Sequence, residues 1–173
     1  GIVMTTGSKN TGVGSYSLNT MTVGYDNTAV GQGAINADTK GNKSVAVGVD
    51  ALTNQNFTSA TDSFNVAVGH SAGKGTTTGE KNTFIGGKAG GDSTQTGASN
   101  TCVGWEAGFN LTSGGNNLLL GKQAGRSSSP SGTINSGSSN VCLGDDNITA
   151  LFCADTSISS SDSRDKADIT DFS

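Results

Sequence analysis

The chain has 173 residues, of which 27 are glycine and only one is proline, with 32% hydrophobic and 5% aromatic residues. That is too little apolar bulk for an ordinary compact enzyme core, yet a net charge of −4 is too small for a disordered, self-repelling chain. The acidic balance without a basic cluster argues against nucleic-acid binding, and no apolar run is long enough to insert into a bilayer.

In chain order, residues 1–26 hold a first short unit, Asn10-Thr11-Gly12-Val13-Gly14, and an irregular loop around Tyr16 and Tyr25. From Asn27 to about Ile148 the unit recurs: Asn27-Thr28-Ala29-Val30-Gly31, then Ser44-Val45-Ala46-Val47-Gly48, then Asn65-Val66-Ala67-Val68-Gly69. Its glycine stands at 14, 31, 48, 69, 86, 104, 121 and 144, with a dominant step of 17 residues. Asparagine opens every copy except the one at Ser44, and most copies close on Ala-Gly. A fixed period of this kind predicts a stacked array in which each unit covers its neighbour. Four strand-forming residues bounded by Gly, Asn, Ser and Thr are too few for a helix, so each unit is read as a short strand. The fold class is all-β, a parallel β-roll or β-solenoid of about eight short rungs occupying residues 1–148.

Alternation gives each strand two faces. The outer positions, such as Val66/Val68 and Leu118/Leu120, are expected to fill the coil. The middle positions (Gly12, Ala29, Ala46, Ala67, Phe84, Cys102, Leu119 and Cys142) then point away from it. They include no charged or amide side chain, so this second face is expected to be covered by sister chains in a homotrimer. Longer steps mark insertions at 54–63 and 126–139, the second carrying Pro130, and insertions in solenoids often hold binding sites. The two residues after each marker glycine vary freely and are read as an exposed turn. Trp105, the lone tryptophan, and His70, the lone histidine, are the binding candidates there, Trp105 as a surface on which a sugar ring can stack.

Catalytic motifs fail individually. Gly69-His70-Ser71-Ala72-Gly73 matches the nucleophile-elbow spacing, but no histidine remains downstream to act as base, and the same slot recurs without serine. Gly86-Gly87-Lys88-Ala89 lacks the other residues of a phosphate loop. Neither a metal-ligand cluster nor a cofactor motif is present in the sequence. Cys102 and Cys142 are two rungs apart, too far for a disulfide, and are read with Cys153 as packing residues.

Residues 149–160 form an apolar, strand-like junction, followed by Ser160-Ser161-Asp162-Ser163-Arg164-Asp165-Lys166. This last run resembles the start of the peptidase S74 intramolecular chaperone of phage tail fibres, whose junction reads Ser-Asp-x-Arg-x-Lys. The resemblance implies that residues 161–173 begin a truncated chaperone domain that trimerises the fibre and then cuts itself off. It makes Ser161 the nucleophile, Asp162 the first released residue and Lys166 the base. The repeats are similar to the β-roll heads of trimeric autotransporter adhesins, built on Asn-Ser-Val-Ala-Ile-Gly units, although the step here is longer. Together the resemblances imply a non-enzymatic, host-receptor-binding part of a virion tail fibre, apart from single-turnover self-cleavage. They imply a homotrimer whose receptor is a host-surface molecule, a glycan among the candidates. The alternative is the head of a bacterial trimeric surface adhesin.

Overall fold

The computed structural model describes residues 5–150. Cys153 and the junction residues Ser161, Asp162 and Lys166 lie outside the described residues.

The repeat unit folds as an all-parallel β-solenoid. Eight three-residue strands form one sheet: β1 (Thr11–Val13), β2 (Thr28–Val30), β4 (Val45–Val47), β6 (Val66–Val68), β7 (Thr83–Ile85), β8 (Thr101–Val103), β9 (Leu118–Leu120) and β10 (Val141–Leu143). A parallel pair of two-residue strands, β3 (Gly41–Asn42) and β5 (Thr61–Asp62), is formed where the first insertion rejoins the coil. Pairing is in strict register, each residue opposite its equivalent one rung on, as in Val66 opposite Thr83, Ala67 opposite Phe84 and Val68 opposite Ile85.

The marker glycines keep this register. From Gly14 to Gly121 their φ values run from 101° to 141°, a region closed to most side chains. They also leave no room: a Cβ added at Gly69 would lie 2.7 Å from the carbonyl carbon of Gly86.

The asparagines stitch the other end of each strand. The Asn82 amide N–H donates to Asn65 Oδ1 at 2.9 Å, and Asn82 Nδ2 donates to the Gly97 carbonyl at 2.9 Å. The pattern repeats from Asn82 to Asn100, from Asn100 to Asn117 and from Asn117 to Asn140. Glycine carbonyls at 24, 41, 79, 97, 114 and 137 accept the side-chain amides across the coil. Most of these bonds are buried, where an unmade one costs about 1–3 kcal/mol.

Ser44 breaks the ladder, and the first insertion repairs it. Gln55, fully buried, reaches into the gap: its Nε2 donates to Ser44 Oγ at 3.0 Å and to Asp38 Oδ2 at 2.6 Å. Its Oε1 accepts from Asn65 Nδ2 at 2.9 Å. Asp38, also buried, accepts three backbone N–H groups, from Lys40, Gly41 and Phe57, which compensates its carboxylate for lost water. The insertion is therefore not simply a protruding loop: Gln55, Phe57 and Ser63 return to the interior.

The two faces of the strands are the reverse of the sequence expectation. Ala67, Phe84 and Leu119 are fully buried, but inside their own coil, among the motif alanines Ala34, Ala51, Ala72, Ala89, Ala107 and Ala124. Outer residues point outward, with Val68 at 38% and Ile85 at 41% exposure. Side chains from the facing wall, Leu18, Ile35 and Leu52 among them, meet the middle-position residues inside the coil, and the outer positions are left on the outside.

Candidate functional site

The outer positions of the main sheet form the largest candidate surface. Of sixteen such positions twelve carry Val, Ile or Leu, four carry Thr, and none is buried. At ~4.8 Å per strand the stripe is about 40 Å tall. Continuous apolar faces of this kind on soluble proteins mark interfaces.

Beyond the marker glycine the chain turns sharply, and the two variable residues differ in role. The first is mostly exposed, as at Gln32, Val49, His70, Trp105 and Lys122. The second adopts positive φ in Asp50, Ser71, Lys88, Glu106 and Gln123, and its amide donates to the preceding rung, as from Glu106 to Gly87 at 2.9 Å. The left-handed conformation turns this residue back toward the coil; Ser71 is 3% exposed. Ser71 Oγ lies 3.2 Å from His70 Nδ1, but the burial of Ser71 keeps its hydroxyl from a substrate. The candidate phosphate loop is likewise occupied: a Cβ at Gly87 would meet the Trp105 ring at 2.7 Å.

Sequence reasoning placed Trp105 and His70 in one turn column, and the structure keeps them there, with Gly87 between them and Lys122 one rung beyond. It missed the network beside them. Glu106 Oε2 accepts from Gln123 Nε2 at 3.0 Å and pairs with Arg126, whose guanidinium lies 4.8 Å from the centre of the Phe109 ring. The Gln123 hydrogen bond, then the Arg126 charge, hold the Glu106 carboxyl below its ordinary range. The only advance signal is the rung spacing that stacks Glu106 under Gln123.

A second cluster lies at the opposite end of the strands. Lys43 Nζ pairs with Asp62 Oδ2 at 2.6 Å and sits 5.8 Å and 5.2 Å from the centres of the Tyr25 and Phe64 rings. Tyr25 also donates to Asp62 at 3.1 Å. The hydrogen bond from Lys43 lowers the Asp62 pKa and raises that of Lys43. These contacts tie the first insertion to the coil.

At the last rung a cavity of about 410 Å³ is lined by Pro130, Ser131, Val141, Cys142, Leu143 and Ile148. Burial pushes the Cys102 thiol up to about 12. Burial acts in the same direction on Cys142, but hydrogen bonds from Ser131 and Ser129 outweigh it and leave that thiol below its ordinary value. Both cysteines are free. Among the described residues no group of three or more His, Cys, Asp or Glu is placed to hold a metal, and no helix is long and apolar enough to cross a membrane.

Compared with models of protein families, with curated proteins and with solved structures, the chain matches none.

Proposed function

We propose that the chain is a structural, receptor-binding segment of a phage tail fibre, assembled as a homotrimer through the outer-position stripe of its main sheet. The observation that carries this reading is the stripe itself: an aliphatic residue in every rung with threonine as the only polar type, free of charge, and left open by the single coil. A second and third copy of the same chain are its natural occupants. An identical ladder has the same rung spacing, so every rung finds an apolar partner at the same height without a change of register. The sister chains meet the stripe of Val47, Val68, Ile85 and Leu120, and the middle-position residues are covered within each coil.

The Ser-Asp-x-Arg-x-Lys resemblance at residues 161–166 supports a fibre over an adhesin. In this reading Ser161 is the nucleophile and Lys166 the base for hydrolysis of the bond to Asp162, which takes up one water and leaves a carboxylate on Ser161 and a free amine on Asp162. Ser44-Val45-Ala46-Val47-Gly48 and the solenoid support the second reading, the head of a bacterial trimeric adhesin.

Multi-angle light scattering of the chain tests the assembly. A mass three times the 17.2 kDa chain is expected. The double substitution Val68→Asp with Ile85→Asp, placing charges on the stripe, is expected to yield folded monomer. A monodisperse monomer of the unaltered chain at micromolar concentration overturns the trimer. For the junction, mass spectrometry of a chain carrying a complete chaperone is expected to find the bond between Ser161 and Asp162 cut. An intact bond in assembled trimer removes the cleavage role.

A further inference from the structure

We propose that Trp105, supported by Gly87 and flanked by His70 and Lys122, is a stacking platform for a hexopyranose unit of a neutral, unbranched oligosaccharide. The proposal rests on the receptor-binding reading and gives it a site and a ligand class.

The indole is 52% exposed, though the chain has few aromatic residues and buries Phe84 completely. Its position is fixed by an absence. One rung before it stands Gly87, and a Cβ there would lie 2.7 Å from Trp105 Cζ3 and 2.8 Å from Cε3. The six-membered edge of the indole therefore rests on the bare backbone of the preceding rung. A large aromatic braced on one side and open on the other loses little freedom on binding, so it can hold a weak ligand without a deep pocket.

The surroundings select the ligand. A pyranose has an apolar C–H face that matches the electron-rich face of an indole, and a rim of hydroxyls that need polar partners. Along this column the next side chains are His70, beyond Gly87, and Lys122, one rung past Trp105, and both are exposed. With rungs ~4.8 Å apart, one sugar ring over Trp105 lies within reach of both. Lys122 Nζ pairs with Asp145 Oδ2 at 3.1 Å, and an ammonium has further protons to donate. His70 offers a ring nitrogen that can donate or accept. Polyanionic nucleic acid fits poorly on a chain of net charge −4.

Trp105 is the only tryptophan, so intrinsic fluorescence reads this site alone. The unaltered chain, first sized by light scattering, is titrated with cellopentaose, maltoheptaose and chitopentaose. A saturable change in emission with at least one of them is expected. The double variant His70→Ala with Lys122→Ala keeps the fluorophore and is expected to weaken binding about tenfold. Trp105→Ala, followed by calorimetry, is expected to abolish it, with circular dichroism confirming the fold. An emission already blue-shifted, shielded from acrylamide and unresponsive to all three sugars overturns the platform and makes Trp105 a packing residue between copies. A quenchable Trp105 that responds to none of them also overturns it. A trimer without sugar response removes this inference alone, whereas a monomer that responds removes the assembly and leaves the platform.

Discussion

The first and second halves of the solenoid fill the same interior from opposite walls. In the early rungs the strand contributes little, Gly12, Ala29 and Ala46, and the facing wall supplies Leu18, Ile35 and Leu52; in the next rung Ala67 faces Gly73, and Leu52 and Phe84 of the neighbouring rungs close over that glycine. In the later rungs the strand supplies Phe84, Cys102 and Leu119, and the facing position is Gly90, Gly108 or Gly125. The facing residues all have positive φ, from 47° at Ile35 to 78° at Gly125. The early arrangement therefore holds branched side chains in a left-handed conformation that costs roughly 1–2 kcal/mol each, and the later one relieves it with glycine. What recurs along the coil is a filled interior, supplied by either wall or by a neighbouring rung, not the residue at a given place.

The sharpest way to break this comparison is to exchange the two solutions. Phe84→Ala is expected to cost about 3–5 kcal/mol, read by chemical denaturation. Gly90→Leu alone is expected to destabilise as well, because a Cβ there would meet the Phe84 ring at 2.7 Å. Together they mimic the early rungs, and a double-mutant cycle is expected to show a favourable coupling of about 1–3 kcal/mol. Additive losses would mean that the walls do not compensate each other.

Next in size is the repaired ladder, found only in the first half. Gln55→Ala is expected to cost about 2–3 kcal/mol, since it strands polar groups of Asp38 and Asn65 in the interior. Adding Ser44→Asn restores the residue found in every other copy and is expected to recover part of the loss. Leu52→Gly, which imports the later solution without its partner, is expected to cost about 2–4 kcal/mol, lost burial being partly offset by relieved backbone.

The smallest effect is electrostatic. Asp62 in the first half and Glu106 in the second are both held below the ordinary carboxylate range. Their contribution is present above pH ~4 and is lost as pH falls through the lowered values. Lys43, raised, contributes below pH ~10.4 and loses its contribution as pH rises through its own higher value. Thermal melts at descending pH are expected to show a modest drop that Asp62→Asn diminishes, the pairs being largely solvated.

Period, strand positions, marker glycines and the asparagine column were all legible in the sequence, because each leaves a residue type that repeats. The inward and outward faces were not. Alternation separates Val66 and Val68 from Ala67 without saying which side is the interior, and in such a rung size points the wrong way because the facing wall, not the strand, supplies the bulk. Glycines 79, 97 and 114 escaped notice as partners because an amide bonds to their backbone, leaving no mark except a spacing of 14 or 15 from the asparagine. Gln55 was hidden because it lies in what reads as surplus chain. At the candidate site the sequence singled out Trp105 and His70, but the bare Gly87 beneath the indole belongs to another copy and is visible only in register.

From Gly14 to Gly104 a Cβ added at a marker glycine would meet the carbonyl of the next, so a side chain added at one of them disturbs two layers at once. Length, in contrast, has already changed three times, by steps of 18, 21 and 23 residues, without shifting the strand register. The fold is thus rigid along its spine and permissive at one corner. That corner, at residues 58–60 where the chain is exposed on its way back to Thr61, is where a foreign peptide can be grafted for display at a fixed height on the rod.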